Sequence, residues 1–334
     1  MHMADALITP AVGGVMMAVS AGAIGYSVKK VKEELDEKKV PLMGVMGAFV
    51  FAGQMINFTI PATGSSGHIG GGILLAALLG PYAAFLVISA VIIIQALFFA
   101  DGGLLALGCN IFNMGFFACF LAYPLIYKQI VKKAFTPKRI TIAAIVAVVA
   151  GLQLGAFSVV AETVMSGITE LPFLSFVLLM QPIHLAIGLV EGIATASVLC
   201  FIYQCNPTLL DGAESGTRIV VSRKKLIGLL LVAALIIGGG VSLVVSGNPD
   251  GLEWSMAGVS GTTELESEGA IHQITAKVQE LTAFLPDYSF KNGTESSAAA
   301  GTSASGIIGG GITLGLACMT GYFISRSKKK IKYE

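Results

Sequence analysis

Stretches of about 20 consecutive apolar residues recur along the chain, each long enough to cross a hydrocarbon core of roughly 30 Å. No backbone group inside lipid can be left to water, so such stretches form helices or closed barrels. A barrel would be written as ten-residue segments of alternating polarity, and this chain has unbroken apolar runs. The expectation is an all-α polytopic membrane protein. Charge agrees: 12% of the 334 residues are charged and 54% are apolar, against about 25% charged in soluble domains. The few charges lie in loops and sum to +1, so no basic face exists for nucleic acid. The 41 glycines suit helices that pack closely in lipid.

Reading along the chain, spans are expected at about 7–26, 41–60, 73–100, 104–126, 140–160 and 174–203, then at 226–245 and 307–324. Basic residues mark the cytoplasmic side of a membrane protein. Four basic segments, at 29–39, 128–139, 223–225 and 326–332, are therefore expected inside. That places the N-terminus and the 61–72 loop outside and the C-terminus inside, in the cell membrane. The crossings between the first two inside loops must be even in number, but only three apolar stretches lie there. Residues 70–100 are therefore expected to hold two short crossings or a broken span hinged at Gly80-Pro81. This yields a seven-span core in residues 1–210. Residues 211–334 add two spans that enclose a polar extracytoplasmic segment of about sixty residues.

With only four histidines in the chain, their positions are informative. Met1-His2 offers an amine, an amide nitrogen and an imidazole in consecutive chelate rings. His68, in a glycine-rich loop expected on the same side, can supply a fourth nitrogen. Four nitrogens in a plane suit Ni(II) or Cu(II). The ordinary reading of an N-terminal histidine is an exposed accident, and of the His68 loop a flexible connector. The shared side is what favours metal ligation. Gly67, Gly70, Gly71 and Gly72 allow backbone angles closed to other residues, so the loop can fold down onto a buried N-terminus.

Ionisable residues inside spans are costly and commonly functional. His184 and Glu191, seven residues apart on one helical face, are candidates for a supporting role, with a structural hydrogen bond at least as good an account. Gln54, Asn57 and Asn113 can orient metal ligands or serve as polar glue between helices. Gly14, Ala18 and Gly22 form a small-residue stripe on the first span, suited to close contact with another helix. His272, isolated in the outer segment, is expected at the surface.

Several classes are disfavoured. None of the five cysteines forms a CxxC pair, so neither a zinc cluster nor a redox motif is supported. No glycine-rich phosphate loop ends in Lys-Ser or Lys-Thr; the chain is not expected to hydrolyse a nucleotide itself, and no catalytic dyad stands out. The start lacks the basic region and cleavage site of a signal peptide, and a bulky second residue is expected to keep Met1 in place.

At this point particular segments resemble a known family. They are Met1-His2-Met3-Ala4-Asp5-Ala6-Leu7, Gly64-Ser-Ser-Gly-His68-Ile-Gly-Gly-Gly72, Ala100-Asp-Gly-Gly103 with Gly108-Cys-Asn-Ile-Phe-Asn-Met-Gly115, and His184 with Glu191-Gly192. Together they resemble the CbiM/NikM family of substrate-capture subunits in energy-coupling factor importers of cobalt and nickel. Asn248-Pro-Asp-Gly-Leu-Glu253 and Leu285-Pro-Asp-Tyr-Ser-Phe290 resemble the PDGLE domain, which accompanies such subunits. The resemblance implies Met1, His2 and His68 as ligands of Co2+ or Ni2+, carried as substrate and not as a cofactor. It implies a transmembrane coupling subunit and two cytoplasmic ATPase subunits as partners, with cobalamin synthesis or nickel enzymes supplied. A membrane metal sensor or assembly protein without transport is the competing reading, separable by ATP-dependent uptake into vesicles. An intramembrane enzyme built on His184 and Glu191 is a third.

Overall fold

A computed structural model of the chain describes residues 1–34, 39–212, 220–244, 246–265, 269–294 and 297–331. It is an all-helical membrane bundle. Its long helices are α1 (Pro10–Glu34), α2 (Val40–Gln54), α4 (Pro81–Phe99), α5 (Leu107–Val131), α6 (Pro137–Ser166), α7 (Phe173–Cys205), α8 (Arg223–Gly239) and α11 (Ala298–Ile331), with the eight-residue α3 (Gly72–Leu79) before α4. Two further helices, α9 (Gly251–Ser260) and α10 (Ala270–Thr282), lie between α8 and α11. The charged loop expected over 29–39 is shorter than read, because α1 continues to Glu34; positions 35–38, like Lys332 in the basic tail, lie outside the described residues.

The break at Gly80-Pro81 is where the sequence placed it, and its geometry answers the crossing count. Gly80 takes a positive φ of 82°, after which Pro81 opens α4. Eight residues of α3 span only about 12 Å, far less than a hydrocarbon core of roughly 30 Å. Yet α3 ends on the face opposite Met1, where Ala77 and Gly80 meet Asp211 and Asp211 pairs with Lys39 at 3.3 Å. The connection from α2 must therefore sink into the bundle before α3 begins. That connection is a small hairpin, β1 (Phe58–Ile60) paired with β2 (Ser65–Gly67), followed by His68 to Gly71.

Non-helical backbone at membrane depth survives only if protein satisfies it, and here it does. Glu191 of α7 accepts the Gly71 N–H at 2.8 Å, and Gln54 at the end of α2 donates to the Gly70 carbonyl at 2.8 Å. Of the loop glycines, Gly64 and Gly71 use a positive φ, 74° and 79°, while Gly67, Gly70 and Gly72 do not. Gly67 and Gly72 are needed for a different reason: a Cβ would sit 2.5 Å from Ile187 and 2.6 Å from Ala118.

The N-terminal residues enter the bundle from the same face and are core, with Met3 and Ile8 fully buried. Met3 is buried and lies outside any helix or strand, so its peptide groups need partners. The Asn110 side chain supplies both: its carbonyl accepts from Met3 N at 2.7 Å and its amide donates to Met3 O at 3.1 Å. Gly103 N donates to the same oxygen at 2.9 Å. From Phe112 to Tyr127 the α5 backbone is wound as a π-helix, which carries Pro124. On α7, Gly192 lets the α6 backbone approach to Ile145 Cα, 2.8 Å from where a Cβ would stand. This is the close packing that small residues permit in lipid.

Candidate metal-capture site

The structure brings Met1, His2 and His68 together. The Met1 amine lies 3.0 Å from His68 Nε2, and the His2 and His68 rings stack with centroids 5.2 Å apart. An ammonium can only donate, so His68 Nε2 presents its lone pair to the Met1 nitrogen. Among the described residues no group of three or more His, Cys, Asp or Glu side chains forms a metal cluster. A site built here has the Met1 main-chain amine beside two imidazoles.

Two carboxylates hold the ligands. Asp250, in the Pro249-Asp-Gly-Leu-Glu253 motif, accepts from the Met1 ammonium at 2.6 Å. Asp101, following α4, accepts from His2 Nδ1 at 3.1 Å, while His2 Nε2 donates to Gln95 Oε1 at 3.2 Å. A chelate through Nδ1 requires the ring to leave Asp101.

Burial, with the adjacent Met1 ammonium and His2, pushes the His68 imidazole down to about 3. Burial works to raise both carboxyls, but the Met1 ammonium beside Asp250 and His2 beside Asp101 bring each well below the usual carboxylate range. The site sets the Met1 ammonium against Asp250 and the His2 ring against Asp101, with a neutral His68 imidazole beside them.

Local sequence explains the Asp250 position. Its carboxylate caps α9, accepting from Leu252 N at 2.8 Å and Glu253 N at 2.9 Å, and Glu253 reaches back to the Asp250 N–H at 2.9 Å. This reciprocal capping box fixes the carboxylate, leaving Oδ2 for Met1. The hairpin secures the same segment, because Ser66 donates to the Pro249 carbonyl at 2.8 Å.

Below the amine lies a cavity of about 40 Å³, bordered by Met1, His68, Asn113, His184, Glu191 and Asp250. It has room for a few water molecules. His184 donates through Nδ1 to Met180 O at 2.8 Å, and its Nε2, like Asn113 Oδ1, has no hydrogen-bond partner among the described residues. Beside the site a wider cleft of about 640 Å³ is bordered by His2, His68, Asp101, Asp250, Glu253 and Asn57. Its carboxylates give a cation a favourable approach.

The other candidates are distributed as follows. Asn113 donates to Glu162 at 2.7 Å and touches Met3 Sδ at 3.6 Å, so it braces the N-terminal segment from one residue away. Gln54 and Glu191 hold the His68 loop and reach no ligand nitrogen. Asn57 lines the cleft, and its carbonyl accepts from Ser246 N at 2.8 Å. Gly14, Ala18 and Gly22 are exposed on α1. His272 is the correction: it is 7% exposed, and its Nε2 donates to the Ile8 carbonyl at 2.9 Å. The expectation of a surface residue failed because α10 packs its polar face against the protein.

Asp101, Gln95, Asn110 and Asp250 escaped the sequence reading as site residues. Only Asp250 carried a local signal, the Asp-x-x-Glu helix start, and that signal speaks of a cap, not of a distant amine.

Comparison with known proteins identifies the family. A family profile described as cobalt uptake substrate-specific transmembrane region matches residues 2–209, and a PDGLE domain profile matches residues 224–326. A putative metal transport protein of Haloquadratum walsbyi is 35% identical over 212 residues, covering 63% of this chain and 93% of its own length. A putative fused nickel transport protein, NikMN, of Archaeoglobus fulgidus is 34% identical over 217 residues, 63% of this chain and 68% of that protein. A solved structure titled as a truncated transition metal transporter superposes with a TM-score of 0.54 at 31% identity, covering 61% of this chain and 99% of that one.

A helical membrane bundle with this ancestry is a metal-transport component. The chain belongs to the CbiM family and carries a PDGLE domain at its C-terminal end.

Proposed function

We propose that the chain captures Co2+ or Ni2+ as the substrate-binding subunit of an energy-coupling factor importer. The ligands in this reading are the Met1 amine, the His2 amide and imidazole nitrogens, and His68 Nε2. The observation that carries it is the 3.0 Å approach of the Met1 amine to His68 Nε2 across 67 residues. Two nitrogens held around one proton are held for one cation. On capture the Met1 ammonium and the His2 peptide N–H each give up a proton to solvent, the His2 ring turns from Asp101 to present an unprotonated Nδ1, and the amidate with the two carboxylates offsets the divalent charge.

The N-terminus and the His68 loop face outside in this reading, with the basic tail inside. Residues 1–210 form the capture unit, and residues 211–334 stand in for a small auxiliary subunit whose Asp250 reaches the site. ATP is hydrolysed by two cytoplasmic ATPase subunits acting through a transmembrane coupling subunit. The exposed stripe Gly14, Ala18 and Gly22 on α1 gives that subunit a surface where helices can approach closely.

The test is metal binding to the purified chain and to His2→Ala and His68→Ala variants, followed by uptake into vesicles with the partner subunits. Undiminished Co2+ and Ni2+ affinity in both variants would overturn the site. Binding without ATP-dependent accumulation would overturn the importer.

A further inference from the structure

The amphipathic helix α10 divides its surface in a way a water-facing helix does not. One arc carries His272, Thr275 and Gln279, and it faces the protein. His272 donates to the Ile8 carbonyl at 2.9 Å and Thr275 to Asp5 Oδ2 at 2.6 Å, while Gln279 donates to the Ala96 and Gly102 carbonyls at 2.8 and 2.7 Å. A neighbouring arc carries Ile271, Ile274, Val278 and Leu281, and these are exposed by 47, 62, 44 and 78%. With side chains turning about 100° per residue, Lys277 and Glu280 fall on the remaining side. Surface helices of water-soluble proteins bury their apolar stripe against the core. Here the polar arc is fastened inward and the apolar arc is left out.

Position says what covers it. Ile8 lies two residues before α1 begins, and Ala96 lies in the last turn of α4. A helix bonded to both runs along the end of the bundle, level with the terminal turns of two membrane-spanning helices. The apolar arc continues through Phe284, 42% exposed, whose ring packs on Phe98 and Phe99 at the end of α4 at 5.5 and 5.9 Å. The exposed stripe therefore extends through Phe284 to the end of a candidate membrane span. Protein on one arc, hydrocarbon on the next and water on the third is the environment of a helix lying in the membrane interface.

We propose that α10 is an interfacial membrane helix whose Ile271, Ile274, Val278 and Leu281 side chains insert at the boundary of headgroups and acyl chains. Its occupant is lipid, and its inward arc clamps the segment that carries the N-terminal nitrogens. The proposal rests on the membrane fold and not on the identity of the captured ion.

The full chain is placed in phosphatidylcholine vesicles with the single Trp254 changed to Phe and one new tryptophan, in the variants Ile274→Trp, Leu281→Trp and Lys277→Trp. Lipids brominated near the headgroup end of the acyl chain are expected to remove about half of the emission at 274 and 281, while aqueous iodide spares both. Lys277→Trp is expected to show the reverse. Where Trp254→Phe lowers the yield of folded protein, the same three variants are read as differences from the chain that retains Trp254. Quenching at 274 and 281 by iodide as readily as at 277 would overturn the proposal. So would shielding from both quenchers, which would mean that a second copy or another protein covers the stripe.

Discussion

His2 lies nearly parallel to His68, with ring centroids 5.2 Å apart and planes 14° apart. Stacked this closely, two charged imidazoles would repel. The arrangement keeps His68 neutral, with its lone pair on the Met1 amine, while His2 bonds Asp101. Removing that lone pair is the most direct test. His68→Ala is expected to weaken Ni2+ binding by more than the roughly 10–100-fold that outer partners of a metal ligand contribute, read by isothermal titration calorimetry. Extending the chain ahead of Met1, which turns the amine into an amide, is expected to do the same without touching a side chain.

Asp250 has two tasks that one substitution separates. Asparagine caps helices about as well as aspartate, so Asp250→Asn is expected to keep the α9 cap and to lower the melting temperature only through the Met1 ammonium it leaves unpaired. The charge opposite the bound cation is lost, however. Affinity for Co2+ and Ni2+ is expected to drop about tenfold, the low end for an outer partner. A large fall in melting temperature with affinity intact would contradict this division.

Glu191 supports the loop and not the ion. Glu191→Leu orphans the Gly71 N–H, at a cost of about 1–3 kcal/mol for an unsatisfied buried group. Glu191→Gln keeps an acceptor oxygen. Thermal unfolding followed by size-exclusion chromatography is expected to show a clear loss for leucine and a small one for glutamine, with metal affinity retained in Glu191→Gln.

Gly71→Ala meets two obstacles at once. A left-handed non-glycine residue costs about 1–2 kcal/mol, and the new Cβ would stand 2.7 Å from Val50. The same unfolding assay is expected to report the loss, and adding Val50→Ala is expected to recover only the steric part.

Capture is expected to weaken as pH falls, because the ion displaces protons from the Met1 amine and from His2. His68 is not the limiting group, since it stays neutral down to about 3. It does act on stability. Its folded value lies below its unfolded 6.5, so the unfolded chain binds the proton first. Stability in the absence of metal is therefore expected to fall as pH drops from 6.5 toward 3, measured by the midpoint of thermal unfolding, and this fall is expected to be smaller in His68→Ala.

The membrane class, the positions of the helices, the break at Gly80-Pro81 and the Met1-His2-His68 set were legible in the sequence. Each depends on local properties: the length of an apolar run, a residue that fixes or frees φ, and adjacent atoms that close a chelate ring. What the sequence could not place were partners chosen by packing. Asp250 reaches the Met1 amine across 249 residues only because α9 is pinned to the β hairpin. Asn110 completes the Met3 peptide hydrogen bonds because α5 passes beside it. His272 turned inward because its helix fastens its polar arc to protein. Periodicity identifies a helix and its faces; which face meets protein, lipid or water is decided when the bundle closes. The tertiary structure alone therefore decided that two carboxylates stand beside the Met1, His2 and His68 nitrogens that the sequence proposes as ligands.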